Sequence, residues 1–398
     1  MKITSFAARE VLDSRGNPTV EAEVNGLRAT VPSGASTGAH EAVELRDGGS
    51  RYHGKGVSKA VSHAFAVLKK ASATHFESQA SFDAFLLKQD PTKNKQRLGA
   101  NALNACSIAF FKALAAHRHT SVWSFFKKPR KIPIPLCNVI NGGAHASSGL
   151  SIQEFMIIPD GLKSTPGRVR ALSEVYHQLK SDLKKKGFSV SVGDEGGFAP
   201  PLKTTRDALE FMSKAIRECG YEKQISIGVD CAATQYYKDN HYYLDGTKHH
   251  AEALVDHYAR LQKEFHMTYF EDPFYEEDFN TFALFTKKMQ GKALVVADDL
   301  TVTNARRIEI AAEKKACSGI IIKPNQVGTV TETLEAFVLA RKAKWAIAVS
   351  HRSGETEDPF IADFACTIEA DFAKIGAPCR GERTAKYNEL LRIAEEVE

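Results

Sequence analysis

The feature that most constrains the fold is a series of short apolar runs in the last two thirds of the chain, each ending in polar or charged residues. The runs, which helix-like stretches separate, are FSVSVGDE, ISIGVD, MTYFED, ALVVADD, GIIIKP and WAIAVSHR. Strands buried on both faces are continuous apolar runs, and strand–helix alternation is typical of a parallel sheet. The series favours a (β/α) barrel, in which the chemistry lies where the strands end. A doubly wound open sheet is the alternative, but no GxGxxG or GxxxxGK[ST] motif follows a strand, so nothing supports nucleotide binding.

The first third of the chain has a different pattern. Two segments, KITSFAAREVLDS and TVEAEVNGLRATVPS, alternate with a period near two and contain the turn signal Asn25-Gly26. Helical patterns follow at about 56–68, 82–87 and 99–116. The basic, proline-bearing stretch FFKKPRKIPIP is typical of a domain connection. The sequence therefore predicts an α/β protein, with a small N-terminal α+β domain over residues 1–125 and a C-terminal modified (β/α)8 TIM-type barrel over residues 130–398.

Composition and charge limit the classes of function. The chain has 43% hydrophobic and 25% charged residues with a net charge of +5, and its basic runs fit solvated faces, so we expect no nucleic-acid partner. Its seven cysteines include no C-x-x-C pair, which predicts free thiols in a reducing compartment. The N-terminus MKITSFAARE carries charges where a signal peptide needs an apolar stretch, and no uncharged run approaches membrane-spanning length. We therefore expect a cytoplasmic protein without a membrane partner.

Three acidic residues stand directly after three of the apolar runs. Asp230 follows ISIGV, Glu271 follows MTYF and Asp298 follows ALVVA. Three carboxylates converging on one point of a barrel rim would repel one another, by roughly 4 kcal/mol per pair at 4 Å and an effective dielectric constant near 20. A hard divalent cation offsets this repulsion, and a set of oxygen ligands without His or Cys favours Mg²⁺ over Zn²⁺. The alternative for each acid taken singly is that it caps the helix that follows.

The next two runs end in cationic and hydrogen-bonding residues. Lys323 follows GIII, and beside a cation its pKa is expected to fall toward the range of a general base. His351, Arg352 and Ser353 follow the last run, and a guanidinium flanked by two donors suits a phosphate. A metal, a base and an anion-binding group predict proton abstraction next to a carboxylate on a phosphorylated substrate.

Nine motifs in a fixed order connect the chain to a known family. The longest is VLDSRGNPTVEAEV, and the others are VPSGASTGAHEAVELRDG, NVINGGAHA, QEFMIIP, GDEGGFAP, FEDPF, VADDLTVTN, IKPNQVGT and SHRSGETED. With these motifs the chain resembles the enolase family (phosphopyruvate hydratases), and the similarity extends to LLRIAEE near the C-terminus. The resemblance implies a Mg²⁺-dependent lyase that interconverts 2-phosphoglycerate and phosphoenolpyruvate in glycolysis and gluconeogenesis.

The resemblance also implies a role for each catalytic residue. Asp230, Glu271 and Asp298 would hold the first of two Mg²⁺ ions, and Glu271 and Asp298 would also contact the substrate. Lys323 would remove the proton from C2 of 2-phosphoglycerate. Glu195, in GDEGGFAP, would donate a proton to the C3 hydroxyl as it leaves as water.

Further residues would bind the substrate on the same grounds. His145 and Glu154 would lie near the C3 hydroxyl, Lys374 would bind the carboxylate, and Arg352 and Ser353 would bind the phosphate.

The remaining implied roles concern orientation, closure and assembly. His351 would be an orienting donor at the substrate. Ser36, in the glycine-flanked PSGASTG, would close over the substrate and bind a second Mg²⁺ that arrives with it. A homodimer is expected, with Glu21 near Arg392 of the partner subunit.

Two rival functions remain open at this point. One is another carboxylate-enolising member of the same superfamily, such as a sugar-acid dehydratase or racemase, which would not need the Ser36 loop or an Arg-Ser phosphate site. The other is a non-catalytic protein on the same scaffold, which loss of Glu195 or Lys323 would indicate, although both are present.

Overall fold

The computed structural model describes residues 1–35, 38–146 and 148–398. Its strands, in chain order, are β1 Phe6–Leu12, β2 Pro18–Val24, β3 Leu27–Thr30, β4 Ile134–Asn141, β5 Glu154–Ile158, β6 Ser226–Asp230, β7 Tyr237–Lys238, β8 His241–Leu244, β9 Thr247–His249, β10 Met267–Glu271, β11 Leu294–Ala297, β12 Gly319–Ile322, β13 Ala346–Ser350 and β14 Phe372–Lys374. Its α-helices are α1 Ser58–Ala71, α2 Gln79–Gln89, α3 Ala100–His117, α4 Thr165–Lys185, α5 Thr205–Glu218, α6 Ala251–Phe265, α7 Phe279–Met289, α8 Ala305–Glu313, α9 Pro324–Val327, α10 Val330–Lys342, α11 Phe360–Thr367 and α12 Gly381–Val397. Short 3₁₀ turns cover Arg51–Gly54, Val122–Ser124, Gly143–His145 and Ala233–Tyr236.

The N-terminal part packs helices on a small antiparallel sheet. Strands β1, β2 and β3 pair in that order, and β2 turns into β3 through Asn25 and Gly26, whose φ angles are 50° and 84°. Positive φ at both positions is the requirement of a type I′ hairpin, so the predicted turn signal is confirmed. Helix α3 packs against β2 and β3 and is buried along most of its length, which its small alanine side chains permit. This arrangement confirms the predicted α+β character.

The C-terminal part is a closed barrel. In the described part of the chain, eight strands close in the order β10-β11-β12-β13-β14-β4-β5-β6, and the element order from β4 onward is ββαα(βα)6, with the β7–β9 sheet inserted after β6. All neighbouring strands are parallel except β5, which is antiparallel to both β4 and β6. The predicted modified (β/α)8 barrel is confirmed, and the reversed β5 is the modification.

One predicted strand is wrong. The run FSVSVGDE forms no ladder, and its region makes only isolated bridges, such as Val192 with Phe198. The chain there folds back on the end of β4, where the amide of Phe198 donates to the carbonyl of Val139. Gly197 permits this close approach, because a Cβ at that position would lie 2.5 Å from Oδ1 of Asn141. The barrel position expected for this run is taken by the β4–β5 hairpin.

Apolar side chains fill the barrel interior. Leu136, Met156, Ile158, Tyr269, Val296, Ile321 and Ala348 form one buried cluster there. A second, larger core lies between the strands and the surrounding helices and continues into the N-terminal part. Because the interior is packed, the polar residues at the strand ends can meet only at the rim.

Two findings bear on the cellular expectations. The seven cysteines are all free thiols, and Cys106, Cys137, Cys231, Cys317 and Cys366 are buried. None of the described helices combines the length and the apolar character that crossing a membrane requires.

Candidate active site

The strand ends converge as the sequence predicts. Asp230, Glu271 and Lys374 are the last residues of β6, β10 and β14, and in the barrel ladder Asp230 stands opposite Glu271. Glu154 is the first residue of β5, and because β5 is reversed it reaches the same rim, opposite Asp230. One cavity at this rim is lined by His145, Gln153, Glu154, Glu195, Asp230, Ala232, Asp272, Asp298, Asp299, Lys323, Ser350, His351, Arg352, Ser353 and Lys374. Ser36, the predicted ligand of the second metal ion, lies outside the described residues.

Lys374 is the centre of an ionic cluster on one side of the cavity. Its Nζ lies 2.6 Å from Oε1 of Glu271, 2.9 Å from Oδ2 of Asp230 and 3.1 Å from Oε1 of Glu154. Burial lowers the pKa of Lys374, but the three carboxylates raise it by more, so its pKa lies well above the usual range. The structure therefore brings the predicted carboxylate-binding lysine into contact with two predicted metal ligands.

The carboxylates of this rim fit a hard divalent cation. Burial and the charge of Asp230 raise the pKa of Glu271 well above its usual range, although the charges of Lys374 and Lys323 oppose the shift. Among the described residues, Asp298 is grouped with Asp272 and Asp299, whose carboxylate oxygens lie within 4.8 Å of one another, and not with the other two predicted ligands, Asp230 and Glu271. An all-oxygen donor set of this kind suits Mg²⁺. In this arrangement lysine ammonium groups supply the compensating charge that a cation would supply.

Asp272 is a site residue that the sequence analysis missed. Its carboxylate accepts hydrogen bonds from the backbone amides of Asp298 (2.9 Å) and Asp299 (2.6 Å), and its own φ is 39°. It therefore holds the end of β11 in the orientation that presents Asp298. Its position in the sequence, beside Glu271 in FEDPF and directly after a predicted strand, could have identified it as a site residue.

Lys323 is paired with Asp298. Its Nζ donates to Oδ2 of Asp298, while Gln326 donates to the other oxygen of the same carboxylate at 3.1 Å. Burial is the largest influence and lowers the pKa of Lys323, but its acidic neighbours, Asp298 foremost and Glu41 after it, together leave a net upward shift. The downward shift expected for Lys323 beside a cation remains a prediction for the metal-bound site.

Glu195 lies on the opposite side of the cavity among neutral donors. Asn138 donates to its Oε2 at 3.0 Å, and Ser353 donates to its Oε1 at 3.4 Å. Nδ1 of His145 lies 3.5 Å from Oε1, and Nε2 of His351 lies 3.4 Å from Oε2. Burial raises the pKa of Glu195, but His145 and His351 lower it by more, so its pKa lies well below the usual range.

His145 lies between the carboxylates of Glu154 and Glu195. Nδ1 of His145 is 3.8 Å from Oε1 of Glu154, and Nε2 of His145 lies 2.9 Å from Oγ of Ser353. Burial and the charge of Glu195 raise the pKa of Glu154 well above its usual range. A proton bound by these two acids is therefore held preferentially by Glu154.

The predicted phosphate-binding arginine has an acidic partner from the N-terminal part. Nη1 and Nη2 of Arg352 donate to the two carboxylate oxygens of Glu41 at 2.9 and 3.0 Å, and Nη1 also donates to Asn325 at 3.1 Å. Glu41 also accepts the amide of Gly38. Glu41 was not among the predicted site residues, although it lies in the motif VPSGASTGAHEAVELRDG.

Comparison with known proteins places both parts of the chain in one family. Residues 3–126 match the family model described as "Enolase, N-terminal domain", and residues 129–398 match "Enolase, C-terminal TIM barrel domain". The chain is 46% identical over 406 residues to the protein named Enolase of Methanocaldococcus jannaschii, covering 100% of this chain and 96% of the relative. It is 45% identical over 408 residues to the Enolase of Elusimicrobium minutum, with the same coverage. The chain therefore belongs to the enolase family, the phosphopyruvate hydratases, which are lyases that interconvert 2-phosphoglycerate and phosphoenolpyruvate.

Proposed function

We propose a division of roles for the dehydration of 2-phosphoglycerate, with Lys323 as the base at C2 and Glu195 as the acid at C3. One observation carries this proposal: the two side chains lie in the same buried cavity but in separate environments. Lys323 donates to the carboxylate of Asp298, whereas Glu195 accepts hydrogen bonds from the neutral donors Asn138 and Ser353. A base and an acid that act on adjacent carbons need this separation, because direct contact would neutralise both.

In the first step, Lys323 takes the proton from C2. The C–H bond breaks, and its electron pair moves into the substrate carboxylate to form an enolate. Lys323 must be a neutral amine to accept the proton, so the charge of Asp298 has to be engaged elsewhere in the substrate complex. Asp230, Glu271 and Asp298 would hold Mg²⁺, which supplies positive charge where the enolate develops.

In the second step, Glu195 protonates the leaving hydroxyl. The enolate electrons form the C2–C3 double bond, the C3–O bond breaks, and the hydroxyl leaves with the proton of Glu195 as water. Of these two acids Glu154 would hold the proton, and His145, whose Nδ1 lies 3.8 Å from Glu154 and 3.5 Å from Glu195, would pass it to Glu195. Ser353 and Asn138 hold the carboxylate of Glu195 in place.

The remaining predicted residues bind the substrate. Lys374 would bind the carboxylate, and Arg352 and Ser353 would bind the phosphate. His351 would orient groups at the site. Ser36 would bind a second Mg²⁺ that arrives with the substrate.

Solvent exchange of the C2 proton tests the two roles separately. Lys323→Ala should abolish exchange, whereas Glu195→Gln should block dehydration and retain exchange, because deprotonation precedes loss of the hydroxyl. Lys287→Ala and Glu222→Gln change exposed residues of the same types and serve as controls. Equal loss of exchange in both site variants would refute the division of roles.

Chelation tests the metal. Exhaustive dialysis against EDTA should abolish turnover and lower the melting temperature, because a ligand bound only by the folded state stabilises that state by mass action. Added Mg²⁺ should restore both properties. Full turnover in excess EDTA would overturn the metal assignment.

A cytoplasmic location and a homodimer remain predictions from the sequence.

A further inference from the structure

Arg383 is a buried cation that the roles above do not use. It lies in the first turn of α12, its side chain is fully buried, and its guanidinium extends beneath the segment 351–353. Nη1 donates to Nδ1 of His351 at 2.5 Å and to the carbonyl of Arg352 at 2.7 Å. Nη2 donates to the carbonyls of Ser353 at 2.6 Å and Asp194 at 3.0 Å. The four N–H groups of the guanidinium fork thus meet four acceptors, each in or next to the proposed site.

These contacts determine the tautomer of His351. An arginine donates hydrogen bonds and cannot accept them, so Nδ1 of His351 must present its lone pair to Nη1. Burial, aided by the charge of Arg383, lowers the pKa of His351 to about 3, although Glu195 opposes the shift. The imidazole is therefore neutral at physiological pH, and its single N–H is on Nε2.

The Nε2–H group faces Glu195. Nε2 lies 3.4 Å from Oε2 of Glu195, just outside hydrogen-bonding geometry, and no described residue accepts a hydrogen bond from it. Catalytic hydrogen bonds are often long before the substrate binds. A donor at this position stabilises the ionised form of Glu195, which is the form that remains after the proton has passed to the leaving hydroxyl.

A glycine at position 376 permits Arg383, His351 and Glu195 to come close together. A Cβ at Gly376 would lie 3.0 Å from Cδ of Arg383, 3.0 Å from Cε1 of His351 and 2.8 Å from the carbonyl oxygen of Glu195. Gly376 also has a φ of +78°, which disfavours any other residue. Arg383, His351 and Glu195 therefore converge at a place that only glycine leaves open.

We propose that Arg383 is a positioning residue for the acid step, because it fixes His351 in the Nε2–H tautomer and directs that proton at Glu195. The proposal rests on the role of Glu195 given above. It assigns Arg383 no contact with the substrate, and it predicts that its loss affects dehydration more than removal of the C2 proton.

The tautomer can be measured directly by ¹⁵N NMR of histidine-labelled enzyme. The His351 signals are assigned from a His351→Asn variant, and the expected wild-type pattern is a neutral ring protonated on Nε2. Arg383→Lys keeps the charge but cannot reach four acceptors, so it should lose this tautomer preference. The same variant should lose at least about 10-fold in kcat for dehydration, equivalent to one hydrogen bond, while retaining C2 exchange.

Lys386→Met is the matched control. Lys386 is a second fully buried cation of α12, and its Nζ donates to the carbonyl of Thr356. Its replacement should lower stability without changing the His351 tautomer or the ratio of exchange to dehydration.

Several outcomes would overturn the proposal. A wild-type His351 protonated on Nδ1 would do so even if Arg383→Lys failed to fold. So would an Arg383→Lys enzyme that retained the tautomer and the rate. If Glu195→Gln still dehydrated the substrate, the acid role of Glu195 would be wrong. This outcome is distinct from one in which only the positioning role of Arg383 is wrong.

Discussion

At the scale of single residues, Asp363 in α11 is an acid outside the active site whose ionisation opposes folding. Burial raises its pKa to about 8, the nearby charge of Glu389 adds to the shift, and Lys112 opposes it. An unfolded aspartate ionises near pH 4. Between these pH values the unfolded state loses the proton and the folded state keeps it, so stability falls as pH rises from about 4 to about 8.

Asp363→Asn removes this cost. We expect the variant to be more stable than the wild type at pH 7 to 8, on the order of 1 kcal/mol or more, and to match it near pH 4. Melting temperatures recorded across this pH range measure the difference. Asp239→Asn, at an exposed turn, is the control and should shift little at any pH. A gain for Asp363→Asn that is equal at pH 4 and pH 8 would contradict the assigned pKa.

Site residues at the ends of apolar runs were predictable from the sequence, and residues that act through them were not. Asp230 and Lys323 directly follow apolar segments, where a charged side chain is costly to bury and therefore indicates a functional role. Glu154 begins its strand and has no such signature, so only the family resemblance identified it. Arg383 lies in a helix where exposed arginines are common, and nothing in the sequence shows that it points inward.

At the scale of elements, the N-terminus of α10 is capped by the other part of the chain. The amide of Val330 donates to Oγ of Ser107 at 2.9 Å, and the amide of Thr331 donates to Oδ2 of Asp83 at 2.9 Å. Ser107 and Gln79 also donate to Asp83. Two unpaired first-turn amides of a barrel helix are therefore satisfied by α3 and α2, while the Thr329 side chain caps the amide of Glu332.

Asp83→Ala should be strongly destabilising for this reason. It leaves several buried donors without an acceptor, and we expect a loss of about 2 to 3 kcal/mol in the free energy of unfolding. Asp207→Ala, which removes the reciprocal partner of the Thr204 cap of the more exposed helix α5, should cost about 1 kcal/mol. Denaturant titration compares the two variants. Equal losses would mean that the capping of α10 by residues of the N-terminal part adds no more to the free energy of unfolding than an ordinary helix cap.

Element prediction succeeded where strands alternate with helices and failed at the hairpin. The runs that became β6, β10, β11, β12 and β13 are bounded by helical patterns. Strand β4 contains Pro135 and Asn138, which weaken an apolar run, and β14 has only three residues. FSVSVGDE has the composition of a strand, yet tertiary pairing with the end of β4 determines its structure.

At the scale of the whole molecule, the predicted homodimer depends on a pair across two subunits. Within the chain, Glu21 already accepts from Arg9 at 2.5 Å and from Thr30 at 2.9 Å. Arg392 is exposed and contacts Glu389 in its own helix. Glu21 would therefore have to accept from Arg392 of the partner subunit in addition to its own neighbours.

The domain boundary predicted between residues 125 and 130 likewise remains a prediction.

Arg392→Ala tests the assembly. We expect a dimer for the wild type at micromolar concentration and a shift toward the monomer for the variant, because a partly desolvated charged pair would be lost from the interface. Light scattering over a dilution series measures both. Arg306→Ala removes an exposed arginine of α8 and should leave the mass unchanged. A wild-type monomer would contradict the prediction outright.

The pairing of Glu41 with Arg352 has a consequence for how substrate affinity can be altered. The Arg352 guanidinium contacts Glu41 of the N-terminal part and also belongs to the proposed phosphate site. The strength of its pairing with Glu41 and its affinity for phosphate therefore depend on each other. Such coupling is reciprocal: whatever fixes residues 38–44 alters phosphate affinity, and bound phosphate alters hydrogen exchange at the amides of those residues. If Arg352 binds the substrate phosphate as proposed, we expect substitutions in the N-terminal part to shift KM more than kcat, so that substrate affinity could evolve separately from the acid–base chemistry of the barrel.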